Sequence, residues 1–360
     1  MATRPNHDMT SNRCEALIRR LAGILYETRA IRFASWIAGY TARRRGCPIL
    51  IYHRVNDEGD DFLPATPTAD FERQMAYVAS SYRVMPLDEM VERAQADDLP
   101  RNSLAITFDD GYRDNLTHAA PILHRYRLPS TIFLATGFIG TGAIPWFDRL
   151  AIALKLARAE AVEAPWGETM ALHDRAARLT AFERVQRHLK TLGDDELQRA
   201  LDVLLERLDV PNGATLKNLM LDWADVRALA GLGFGVGGHT VRHVILSRVT
   251  SERSWAEIRG SRTAIEAGLG STPTGFAYPN GRSPDYSPAT IELVRKAGFA
   301  WAVTTRLGLN TAQTPPYELR RRGPWEPDVA TFALKLAVYR VVHGRETIDD
   351  RSEDSRIRAP

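Results

Sequence analysis

Two adjacent acids, Asp109 and Asp110, stand where an apolar run ends: Leu104-Ala105-Ile106 leads into Thr107-Phe108, and Gly111 follows the pair. A run of this kind reads as a short buried strand, and a glycine directly after it lets the chain turn sharply. The two carboxylates are thereby fixed at a strand end. Neighbouring acids in such a place repel each other and lose hydration, so they persist only where a cation or hydrogen-bond donors compensate. A metal ion is the simplest compensation, and the fold must deliver its other ligands to the same strand end.

Those ligands are offered by His239-Thr240-Val241-Arg242-His243, which follows the glycine-rich run Phe234 to Gly238. Two histidines four apart share one face of a helical turn and can ligate one ion through their imidazoles. The spacing alone is weak. Joined to a strand-end Asp-Asp pair, it outlines a carboxylate plus two-histidine centre with a coordination position open to water.

Thr107-Phe108-Asp109-Asp110-Gly111 and His239-Thr240-x-x-His243 together resemble the first two motifs of the polysaccharide deacetylase family, also called the NodB-homology domain or family 4 carbohydrate esterases. Phe276-Ala277-Tyr278-Pro279-Asn280-Gly281 is similar to the third. The resemblance covers about residues 47 to 322. It implies that Asp110, His239 and His243 bind one divalent ion, that Asp109 is the base, and that the backbone N–H of Asn280 stabilises the oxyanion. Zinc is the first expectation for the ion, with cobalt, nickel or iron also compatible with the ligand set. The implied reaction is removal of an N-acetyl group from an N-acetylhexosamine-containing glycan or glycolipid, releasing acetate. Tyr112, Trp146, Tyr278 and Pro279 are the expected substrate contacts. Thr240 is expected to brace the histidine loop through its hydroxyl.

The chain also departs from the family pattern. Ala277 stands where an arginine usually orients the base, the fourth motif has no counterpart near Trp301 to Thr305, and arginines 320 to 322 occupy the region of the usual acid histidine. A subset that includes envelope and exopolysaccharide deacetylases is similar in carrying Phe-Ala-Tyr-Pro-x-Gly and an arginine after the last strand. On that footing Arg321 is expected to orient the base or bind substrate, with a plain surface arginine as the ordinary alternative. His53, at the end of the first strand, is expected to border the site, most simply as a histidine hydrogen-bonded to the neighbouring loop. His343 is a weak candidate for the acid. The leaving amine's proton source stays open between water on the metal and protonated Asp109. Hydrolysis of a non-sugar C–N amide, or a silent glycan-binding protein on the same fold, are the competing functions.

Apolar runs at 48 to 53, 104 to 108, 130 to 135, 234 to 238, 274 to 277, 299 to 305 and around Leu319 give seven candidate strands with helical segments between them. Alternation of that kind predicts parallel strands in an incomplete, distorted (β/α) barrel, whose chemistry gathers at the strands' C-terminal ends. Helices are expected from Phe71 to Tyr82, with Asp70 as cap, and from Asn115 to Arg127. The catalytic domain is placed at 46–342, interrupted at about 141–222 by a helical subdomain with helices over Leu150 to Val162 and Arg175 to Leu208.

Residues 1–45 form a basic N-terminal segment. They hold nine arginines against Asp8, Glu15 and Glu27, a charge of 9 − 3 = +6, while the whole chain carries +3, leaving 3 − 6 = −3 for the rest. That balance gives no support to nucleic-acid binding by the main domain. Leucines, isoleucines and aromatics recur at helical spacing from Cys14 to Tyr40, so residues 13–45 could contact an anionic membrane surface or pack on the domain. With two cysteines and no recognisable secretory leader, a cytoplasmic location, peripheral on the inner membrane face, is expected. Residues 1 to about 12 and the tail 343–360 are expected to be disordered, and the oligomeric state is open.

Overall fold

The computed structural model describes residues 18–27, 46–210, 218–324, 326 and 328–343. Its frame is a curled sheet of seven parallel strands: β1 (Ile49–Tyr52), β2 (Arg83–Val84), β3 (Ser103–Phe108), β4 (Thr131–Leu134) and, after a two-stranded hairpin of β5 (Ala161–Glu163) and β6 (Thr169–Ala171), β7 (Gly235–Gly238), β8 (Gly275–Ala277) and β9 (Trp301–Val303). Their order is β1-β3-β4-β7-β8-β9, with β2 against the start of β3. Strands buried on both faces must be apolar throughout, and β1, β3 and β4 are buried at every position. The result is the distorted, incomplete barrel expected from the sequence.

The seventh strand is a different one from that anticipated. Leu319 makes only an isolated bridge to Val303, and Arg322 another to Leu50. The true seventh is β2, two residues long and so without a readable period. The 319–322 segment nevertheless closes the gap between β9 and β1: Leu319 N–H donates to Ala302 O at 3.0 Å and Arg322 N–H to Ile49 O at 2.9 Å. Arg321, between these anchors, is turned inward and is 1% exposed.

Helices surround the sheet: α1 (residues 18–27), α2 (Thr68–Ser81), α3 (Leu87–Gln95), α4 (Ala120–Tyr126), α5 (Trp146–Leu156), α6 (Arg175–Leu189), α7 (Asp194–Arg207), α8 (Trp223–Gly231), α9 (Ser251–Leu269), α10 (Pro288–Lys296) and α11 (Val329–His343). Helix α2 starts at Thr68 behind Pro67, so Asp70 lies in its first turn instead of capping it. The Asn115 to Arg127 helix opens as one π turn and ends at Arg127 with φ +54°.

Between β4 and α8 the chain builds a second apolar cluster from α5, the β5-β6 hairpin, α6 and α7. The first expected helix here begins earlier, at Trp146, and stops at Leu156; Val162 belongs to β5. The second is two helices, broken at Gly193, the residue before α7. Phe62 and Leu63, from the loop after β1, join this cluster and seat the insertion over the barrel.

Of the N-terminal segment only α1 is described. Ala22 is buried and Tyr26 packs at 5.9 Å from Tyr77 of α2, while Leu21 and Ile24 are 48% and 52% exposed. No helix among the described residues is long and apolar enough to cross a membrane. The rest of the expected helix from 14 to 40, the disorder expected before residue 13 and beyond 343, and the His343 side chain lie outside the described residues.

Candidate metal centre

Three strand ends meet at the barrel mouth. β3 delivers Asp109 and Asp110, β7 delivers His239, and β8 leads into Tyr278-Pro279-Asn280. Asp109 N–H donates to Tyr52 O of β1 at 3.0 Å, and His239 N–H to Leu134 O of β4 at 2.9 Å, so the sheet's own ladder fixes both residues. Past these points the backbone leaves extended geometry. Asp110, Thr240, His243 and Asn280 all have positive φ, between 56° and 73°. For residues other than glycine this costs about 1–3 kcal/mol each and survives only where the surroundings impose it.

His239 and His243 are therefore not joined by a helical turn, as the i, i+4 spacing suggested, but by a loop with left-handed residues at Thr240 and His243. Nor does the Thr240 hydroxyl brace that loop: it is buried without a partner. Glu257 of α9 does so, its Oε2 accepting the N–H groups of Val241 and Arg242, each at 2.8 Å. Thr136 and Gly137, after β4, donate to the carbonyls of Thr240 and Val241 at 3.1 and 2.7 Å. An added Cβ at Gly137 would meet Val241 O at 2.7 Å, so glycine is required for this approach.

The loop brings Nε2 of both histidines to 3.4 Å from Asp110 Oδ1. One donor atom from each of Asp110, His239 and His243 can be chosen so that all three lie within 4.8 Å of one another, and all three residues are buried. The group fits a cation. Asp110 Oδ1, fully enclosed, has no hydrogen-bond partner, and a buried carboxylate oxygen is not left bare without cost. His239 Nδ1–H donates to Ala277 O at 2.7 Å, which fixes the tautomer and turns the Nε2 lone pair toward Asp110.

Charge follows geometry. Burial alone would raise the Asp110 carboxyl, but His239, His243 and His53 outweigh it and hold it well below the usual carboxylate range. Burial drives the His243 imidazole down to about 4, so it is neutral and ready to ligate at neutral pH. His239 is moved the other way: burial lowers it, and Asp110 with Asp109 more than reverses that.

Beside the triad, Asp109 meets Arg321. The guanidinium donates from Nη1 to Oδ1 and from Nη2 to Oδ2, both at 2.7 Å, and from Nε to Thr304 O at 2.9 Å. A surface role is excluded for this arginine. Its other face lies over the Phe133 ring at 5.6 Å, and Phe133 occupies space that Gly237 leaves open, since a Cβ there would approach the ring to 2.5 Å. Burial pushes the Asp109 carboxyl up, and Arg321, with His239 and His53, prevails and holds it down. His53 thus acts on both carboxylates while standing outside the triad; its side chain is half-buried and its carbonyl accepts from Asn115 Nδ2 at 2.8 Å.

Among the described residues nothing accepts the Asn280 N–H, while Asn280 O takes the Thr305 hydroxyl at 2.5 Å. The rings expected to contact substrate are buried instead. Tyr112 donates its hydroxyl to Asp148 at 2.9 Å under the Arg54 guanidinium. Tyr278 stacks on Tyr286 at 4.5 Å, and Pro279 is enclosed beside it. Trp146 packs into the insertion's cluster against Phe147, and Phe147 in turn stands 5.2 Å from the His243 ring. In the sequence Phe147 stands with Trp146 at the insertion's entrance, open to stacking on a sugar or to anchoring the insertion. Glu257, 14 residues beyond His243, left no readable sign.

A family model described as polysaccharide deacetylase matches residues 96–302. YxkH of Bacillus subtilis strain 168, whose name places it among polysaccharide deacetylases, is 21% identical over 290 residues, 80% of this chain and 74% of its own length. Among solved structures, Streptococcus pyogenes deacetylase PplD in complex with acetate superposes with a TM-score of 0.56 at 17% identity, over 82% of this chain and 98% of that one. IcaB from Ammonifex degensii does so at 0.52 and 18%, over 82% and 97%. At these identities the structural likeness speaks for a shared fold.

Proposed function

Because the chain belongs to the polysaccharide deacetylase family, and is a carbohydrate deacetylase on that ground, we propose that it hydrolyses the N-acetyl group of an N-acetylhexosamine in a glycan or glycolipid, with one divalent ion at Asp110, His239 and His243. The observation that carries the reading is the pairing of a buried Asp-His-His triad with a second carboxylate held bidentately beside it. Asp110, His239 and His243 would hold a divalent ion, with zinc fitting two imidazoles and a carboxylate, and when bound it would supply Lewis acidity for hydrolysis of the amide by water. Asp109 accepts that water's proton. Each of its oxygens takes one Arg321 N–H and keeps lone-pair capacity, and its low pKa keeps it ionised at neutral pH. The Asn280 N–H is the backbone donor for the developing oxyanion. The leaving amine takes its proton from Asp109, which has received it from water, while the charge of His53 favours both carboxylates from outside the triad.

We further propose that α1 contacts a membrane surface. Ile18, Leu21, Ile24 and Leu25 of α1 are 37–52% exposed beside Arg19 and Arg20, a pattern that favours an anionic lipid interface on the cytoplasmic side.

The test is acetate release from N-acetylated oligosaccharides by chelated protein with zinc, cobalt or nickel restored, and Asp109→Asn as control. Metal-dependent release lost in the variant is the expected result. Stoichiometric metal binding with no release from any sugar would leave the non-sugar amide or the silent glycan binder.

A further inference from the structure

The insertion, together with Phe138 and Arg242, lines a half-open pocket of about 430 Å³, inside the span of small-molecule pockets, roughly 300–1,000 Å³. Its walls are chiefly apolar, Trp146, Ile152 and Leu205 among them, and its polar members are Arg149, Gln198 and Arg242. No acid lines it. A sugar ring here would leave most of its hydroxyls facing hydrocarbon, at a cost for each unmade hydrogen bond. A hydrocarbon chain would lose nothing by the same burial.

The pocket lies beside the metal centre. Arg242 lies inside the His239–His243 loop, one residue from a ligand of the triad. Trp146 touches Phe147, and Phe147 touches His243. Arg149 is balanced by Asp202 at 2.8 Å on the surface side. The Arg242 guanidinium is exposed, and among the described residues nothing pairs with it; only its backbone N–H is held, by Glu257. The pocket thus carries an unpaired guanidinium beside the histidine loop, and apolar side chains make up most of its remaining lining.

We propose that this cavity seats the hydrocarbon tail of the substrate, joined to the N-acetylated sugar through a phosphate that pairs with Arg242. The inference rests on the deacetylase reading and deepens it: the substrate class is a phosphate-linked glycolipid instead of a free polymer.

The test is calorimetric titration of the metal-loaded full chain with alkyl phosphates from butyl to decyl, kept below their micelle concentrations. Inorganic phosphate and alkyl glucosides of the same lengths serve as controls. Affinity should rise roughly three- to fourfold per added methylene until the cavity is full, and decyl phosphate should bind about tenfold more tightly than decyl glucoside. Leu205→Trp and Ile152→Trp, filling the space from different walls, should flatten the dependence on chain length. Arg242→Ala should erase the preference for phosphate, and Arg242→Lys should restore part of it. Binding that is indifferent to chain length overturns the proposal, as does an undiminished dependence in filled variants whose melting matches wild type. Equal affinity for phosphate and glucoside overturns the role of Arg242. Binding does not require turnover, so a chain that takes the tails but releases no acetate would contradict the deacetylase reading and leave this one standing.

Discussion

Arg321 and Arg175 each hold an aspartate at almost the same distance, Arg321 with Asp109 at 2.7 Å in the barrel mouth and Arg175 with Asp61 at 2.8 Å where the insertion meets the barrel. Their surroundings differ completely. The side chains of the first pair are 0% and 3% exposed, those of the second 56% and 63%. In water the attraction is screened and offset by side-chain entropy, whereas inside the barrel loss of one partner strands a charge. The same contrast runs through the backbone. Left-handed residues cluster in the motif loops of the mouth, while the insertion is regular helices around an apolar cluster. Local geometry at the mouth is dictated by the charges it must hold together, and in the insertion by volume.

The sharpest way to break this comparison is to remove a ligand. His239→Ala should abolish stoichiometric metal binding and lower kcat/KM by on the order of a thousandfold or more, measured by metal analysis and acetate release. Retention of metal at wild-type affinity would show the triad to be misassigned. Arg321→Ala comes next, with a loss of about 3–5 kcal/mol of stability in denaturant titration. Without the guanidinium, burial prevails at Asp109 and its pKa rises, so the acid limb of kcat/KM should move to higher pH. Arg321→Lys keeps the charge but not the two-pronged geometry, and should fall between.

Asp148 tests the boundary between the regions, since it opens α5 of the insertion yet holds Tyr112, two residues beyond Asp110. Burial, reinforced by Asp110 and Asp114, raises its carboxyl to about 7 from an ordinary 3.8. Between those values the folded chain keeps a proton that the unfolded chain has released, so stability falls as pH rises through that window and is level above it. The loss is on the order of 4 kcal/mol in chelated protein. Asp148→Asn should therefore match wild type in melts near pH 4 and exceed it near pH 8. A constant difference across the range would mean that Asp148 does not titrate there. His53→Ala should leave metal content unchanged and move the acid limb of kcat/KM slightly to higher pH, since His53 helps to hold the Asp109 carboxyl down; a loss of metal instead would make His53 a ligand.

The mouth was far more legible in the sequence than the insertion. Asp110, His239 and His243, which the fold brings together, could be read because two short stretches, around Asp109-Asp110 and His239 to His243, resemble a family's motifs; the spacing alone would not have sufficed. Arg321 could only be suspected, since its partner is 212 positions away and the two meet through barrel closure. The left-handed turns at Thr240 and His243 left no mark, because four-residue spacing fits a helix equally well. Glu257 looked like any helical glutamate. In the insertion, apolar periodicity found the helical content but neither the break at Gly193 nor the β5-β6 hairpin, whose strands are three residues each. Trp146 and Phe147 were both legible as aromatics at the insertion's entrance, but nothing in the sequence said that Phe147 is the ring that reaches His243.

The smallest effect is expected at the other half of the opening comparison. Arg175 donates from both Nε and Nη2 to one oxygen of Asp61, at 3.1 and 2.8 Å, and lies 5.9 Å over the Phe62 ring. Geometry alone would rank it with Arg321, but both charges keep their water. Arg175→Ala should thus cost less than about 1 kcal/mol, a shift of only a few degrees in Tm for a chain of this size. Acetate release should be unchanged, and the small loss should shrink further as salt screens the pair. A loss approaching that of Arg321→Ala would mean that the insertion is pinned to the barrel by charge, and that Phe62 and Leu63, buried in its cluster, contribute less than their burial implies. Phe62→Ala separates the two accounts: burial of an aromatic side chain predicts about 3–5 kcal/mol, so if volume governs the insertion, this substitution must exceed Arg175→Ala severalfold.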